Sequence, residues 1–117
     1  MVEDADDGIH RLLVNDIQVD MILGLDGFSL PVDVTVHTPK DGVYHCTFFS
    51  PDQIAAIMQA HAESGESLHG AYFWAADAII VKQLDEQTLL SVVLDLWQSG
   101  ELPTAMSRSD LDEEPVM

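Results

Sequence analysis

The sequence predicts a single α+β domain. Its antiparallel sheet of about five strands runs as a three-stranded meander, helix, short hairpin and helix, with two helices on one face. Three observations predict it. Apolar and polar residues alternate over Asp16 to Leu25 and over Phe28 to His37, the period of a half-buried strand. Two helix starts, Ser50-Pro51-Asp52-Gln53 and Leu84-Asp85, each follow a strand-like run. A hydrophobic fraction of 47% in 117 residues supplies a core and excludes wholesale disorder.

In the first strand Ile17, Val19, Met21, Leu23 and Leu25 point one way, and Asp16, Gln18 and Asp20 the other. Asp26-Gly27 is a two-residue hairpin signal, because both central positions of such a turn favour positive φ. The second strand sets Val32, Val34 and Val36 against Asp33, Thr35 and His37, and Thr38-Pro39-Lys40-Asp41-Gly42 turns into a third at Val43–Phe49. Ser50 caps the first helix, Pro51 opens it, Gln53 completes a capping box, and Gly65 stops it. A hairpin is expected from Gly70–Ala75 and Ala78–Gln83, turning at Ala76-Asp77 and placing Tyr72 and Trp74 in the core. Asp85 then caps the second helix, which ends at Ser99-Gly100. The two halves align at an offset of 35, Ser50 on Asp85 and Ser64-Gly65-Glu66 on Ser99-Gly100-Glu101, so the body reads as two hairpin–helix units with an added N-terminal strand.

Residues 1–8 and 104–117 read as acidic tails flanking a body at 9–103. One cysteine permits no internal disulfide, and no apolar run reaches the roughly 18 residues of a membrane span, so a cytoplasmic protein is expected.

The meander registers follow from the turns. Leu25 opposite Phe28 pairs Met21 with Val32, and a loop at 38–42 pairs Val34 with Cys46. One face is then apolar. The other carries Asp20 opposite Asp33, a costly like-charge pair, and Asp16 opposite His37. The second helix is apolar nearly all round, so Leu90, Leu94 and Trp97 are the expected contacts of a possible homodimer.

Twenty-one acids against four Lys and Arg give a net charge of −17. Charge of that density destabilises a compact chain, disfavours direct contact with nucleic acid and suits a basic partner protein. No phosphate-loop, dinucleotide, nucleophile-elbow or zinc signature occurs, and no metal or cofactor is expected. The one constellation for hydrolysis is Asp16–His37 beside Asp20 and Asp33.

The reading is therefore a non-enzymatic acidic protein occupying a basic nucleic-acid-binding surface. In composition it resembles DNA-mimic inhibitors and toxin-immunity proteins. Asp16, Asp20, Asp33, Asp52, Glu63, Glu66 and Phe73 face the partner. The alternative is a halophile-adapted α+β adaptor or ligand-binding dimer whose acidity is only solvation.

Overall fold

A computed structural model describes residues 2–4, 8–24 and 27–108, the first three by their backbone alone. Seven strands form one sheet: β1 (Val2–Asp4), β2 (Ile9–Val14), β3 (Ile17–Ile22), β4 (Val32–His37), β5 (Val43–Phe49), β6 (Ala78–Ile80) and β7 (Ser107–Arg108). The order is β1-β2-β3-β4-β5-β6, with β7 also on β5. Every pairing is antiparallel except β5 with β6. The helices are α1 (Pro51–Ser64), α2 (Glu66–Gly70), α3 (Glu86–Ser99) and α4 (Leu102–Ala105). The α+β class is as predicted.

The meander has two strands more than expected, β1 and β2. β2 alternates Ile9, Arg11 and Leu13 with His10, Leu12 and Val14, and joins β3 through Asn15-Asp16, where Asn15 takes a φ of 56°. Asparagine tolerates that left-handed conformation better than most residues. The strand expected from Asp16 therefore begins one residue later, with Asp16 in the turn. Part of the segment read as an N-terminal tail, Val2–Asp4, forms the edge strand on β2.

The β4–β5 register is as predicted, Val34 opposite Cys46. The β3–β4 register is two residues off: Met21 faces Val34, and Ile22 faces Asp33. The chain closes earlier than Asp26-Gly27 implied, with Gly27 N–H on the Gly24 carbonyl at 3.0 Å. It then spends extra residues before Pro31, which has no N–H for a ladder. Leu25 and Asp26 lie outside the described residues. A slip of two preserves side-chain parity, so the apolar face survives while every cross-strand pair changes.

The core joins Leu12, Ile17, Val19, Met21, Val32, Val34, Val36, Tyr44, Cys46 and Phe48 of the sheet to Leu89 and Val93 of α3 and to Leu102 and Met106 of the C-terminal segment. α3 and α4 thus cover the apolar face. α4 returns the chain so that β7 reaches β5 at Tyr44 and His45, and buried Met106 lies inside the stretch read as a tail.

Both long helices start and stop as their caps require. Ser50 Oγ accepts the Gln53 N–H, Gln53 answers on the Ser50 N–H, and Gly65 ends α1 at a φ of 91°. Asp85 accepts the Thr88 N–H at 2.7 Å, and Gly100 ends α3. α1, however, has no buried residue, and its Ile54, Ile57 and Met58 are only half-buried. It carries the chain from the end of β5 back to a parallel β6, the long crossover that a parallel pair demands.

The expected hairpin is therefore absent. Residues 72–75 form no strand, and Ala76-Asp77 turns straight into β6, three residues long. Phe73 leaves the ladder to stand edge-on to Phe49, ring centroids 5.2 Å apart. The two units recognised at an offset of 35 are each a strand followed by a 14-residue helix. Before Phe73, α2 is itself a left-handed turn, with φ of 51°, 54° and 60° at Ser67, Leu68 and His69. Gly70 closes it against α1, where a Cβ would stand 2.1 Å from the Met58 carbonyl oxygen.

Candidate functional site

The second face of the sheet gathers the polar residues. Strand parity and register place Arg11, Asp20, Thr35 and His45 in one row across β2 to β5, Leu13, Gln18, His37 and Val43 in the next, and Ile9, Ile22, Asp33 and Thr47 in the third. Asp20 is the focus. It is only 7% exposed, because its neighbours close over it. Oδ1 accepts Arg11 Nε–H at 3.0 Å and Gln18 Nε2 at 3.1 Å. Oδ2 lies 3.2 Å from His37 Nε2. A carboxylate can only accept, so that imidazole nitrogen carries the proton.

A carboxylate removed from water needs such partners, and among the described residues Asp20 is the one acid in contact with an arginine or lysine. The expected Asp20–Asp33 pair does not form. The two-residue slip puts Thr35 opposite Asp20 and leaves Asp33 exposed, accepting only the Thr47 hydroxyl at 2.6 Å. The Asp16–His37 pair is absent for the same reason: Asp16 is in the turn, and His37 is bound to Asp20. The constellation proposed for hydrolysis is therefore not assembled. The residue that sequence reasoning missed is Arg11. Ile9–Val14 shows no apolar–polar alternation, so its one signal was the Asn15-Asp16 turn ahead of β3.

The expected partner residues lie apart. Asp16 is at the β2–β3 end of the sheet. Asp52 opens α1 beyond the opposite end, about 20 Å away along strands of this length. Glu63 and Glu66 stand exposed at the far end of α1, where Glu66 lies 3.7 Å from His61 Nε2. Phe73 is half-buried on Phe49. Leu90, Leu94 and Trp97, expected at a dimer contact, are each half-buried against the core of their own chain.

A second surface surrounds the Phe73 contact. Contrary to expectation, Tyr72 and Trp74 are outside the core, 46% and 73% exposed. Unpaired with a strand, the segment that carries them lays only Phe73 inward. Leu68 at 74% and Ile80 at 59% add to the exposed apolar area. Ile80 lies beside Phe49 in the parallel ladder, so it shares the corner that Phe73 caps.

Cys46 is in the core. Burial, then the carboxylates of Asp77 and Asp33, push its thiol up to about 12, far from a reactive thiolate. Among the described residues no group of three or more His, Cys, Asp or Glu could hold a metal, and no helix is long and apolar enough to cross a membrane. Comparison with known protein families, with curated proteins and with solved structures found no match.

Proposed function

We propose that this chain is a non-catalytic acidic protein that occupies a basic, nucleic-acid-binding surface on a partner protein in the cytoplasm. The observation that carries the reading is how little of its charge is neutralised within the fold. Asp20 absorbs Arg11, while Asp16, Asp33, Asp52, Glu63, Glu66 and Asp95 are exposed with no lysine or arginine against them among the described residues. Thirteen acids and four bases between residues 8 and 108 leave −9, and eight acids without a base in the sixteen residues outside that span give the remaining −8. Carboxylates held on several elements present a field that draws cationic surfaces and repels phosphates.

The test is affinity capture on the immobilised chain from native lysate at low salt, released by a salt gradient. A basic protein should elute as salt rises, and duplex DNA or RNA should compete for it, because both would use the same surface. Retention that ignores salt, or that nucleic acid does not contest, refutes the reading.

A further inference from the structure

We propose that the segment Leu68–Trp74, with Ile80 beside it, is the docking surface for an apolar segment flanked by lysine or arginine on the partner. This rests on the acidic-binding reading and names the part of the chain that anchors the contact. Leu68, Trp74 and Ile80 are the three most exposed large apolar side chains among the described residues and Tyr72 joins them, while the other exposed ones, Leu13, Ile22 and Leu30, belong to β2, β3 and the β3–β4 connection. Tryptophan and tyrosine are the residue types that concentrate binding energy at interfaces. The segment is held at two points within it: Gly70 lies against the α1 backbone at Met58, and Phe73 is stacked edge-on against buried Phe49. Trp74 and Tyr72 are thus presented from a fixed backbone, which lowers the ordering cost of binding.

Charge complementarity decides the occupant. Glu63 and Glu66 precede the segment, exposed and with no lysine or arginine against them among the described residues, and Asp77 follows it. A second copy of a −17 chain brings the same sign to this rim, as do the acidic residues of 109–117. A cationic flank with an apolar centre matches both features, the apolar part on the aromatics and the cations on the carboxylates.

Two peptides of equal charge, an amphipathic lysine–leucine helix and an oligolysine, separate the anchor from the field. They are titrated into the full chain at about 50 and about 300 mM salt. The lysine–leucine peptide should bind at least tenfold more tightly and shift tryptophan emission to the blue. Trp74→Ala should abolish the shift. Trp74→Ala and Leu68→Ala should each cut the advantage over oligolysine to under threefold while leaving the melting temperature unchanged, since both side chains are exposed. Equal binding of the two peptides, untouched by either substitution, overturns the docking surface and leaves the acidic-binding reading standing. Binding of neither peptide at low salt overturns both. Concentration-dependent dimerisation lost in Trp74→Ala assigns the surface to a second copy and overturns the proposal.

Discussion

Replacing Asp20 with alanine should destabilise the fold by about 1.5–3 kcal/mol. The structure sets that range. The carboxylate accepts from Arg11 at 3.0 Å, from Gln18 at 3.1 Å and from His37 at 3.2 Å. A hydrogen bond to a charged group contributes roughly 1.5–3 kcal/mol net, and breaking a fully buried ion pair costs about 3–5. The lower range applies because Arg11 and His37 keep side-chain exposures of 36% and 41%, so both can rehydrate once the carboxylate is gone. At about 4 °C per kcal/mol for a domain of this size, the melting temperature should fall by about 6–12 °C. The double substitution Asp20→Ala with Arg11→Met should cost less than the sum of the two singles, by about 1 kcal/mol. Asp33→Asn, on the same face, should stay within about 0.5 kcal/mol, because Asp33 is exposed and accepts only from Thr47. Chemical denaturation of the four variants at one salt concentration measures all of this. An Asp20→Ala variant within 0.5 kcal/mol of the parent, or additive behaviour with Arg11→Met, would refute the buried network.

Two further outcomes follow from the caps and the core. Hydrogen bonds from the Thr88 hydroxyl and N–H hold the Asp85 carboxyl below its ordinary value of 3.8, so its contribution is present above that value and lost as pH falls through the depressed one. Asp85→Ala should therefore lower the melting temperature at neutral pH, with the difference from parent closing in strong acid; a difference independent of pH would contradict the cap. Cys46, its thiol pushed up to about 12 by burial, should resist alkylation at pH 8 in the folded chain and react at the rate of global unfolding. Rapid labelling under native conditions would place it outside the core.

Local rules were legible because they are local. A capping box needs only Ser50, Pro51 and Gln53, and a helix stop needs only Gly65 or Gly100, so α1 and α3 could be bounded from the chain itself. Alternation showed which side chains of β3, β4 and β5 share a face, and the loop after His37 set one register correctly. The other register was not legible, because the residues around Gly24 to Pro31 admit more than one turn, and both alternatives bury the same apolar face. That two-residue ambiguity is where the site was misread: it changed Asp20 from half of a repulsive pair into the acceptor of Arg11, Gln18 and His37.

Composition and periodicity alone determined the class of fold, the two long helices, the apolar face and an excess of acid too large for the body to neutralise. Tertiary structure decided which groups meet. A parallel β6 after a long crossover freed residues 72–75 from any ladder, so packing of Phe73 on Phe49 left Tyr72 and Trp74 exposed. The physical reason is that hydrogen bonding and patterning are satisfied within a few residues of chain. The partners of a side chain across strands depend instead on how turns of nearly equal energy are resolved by the core they enclose.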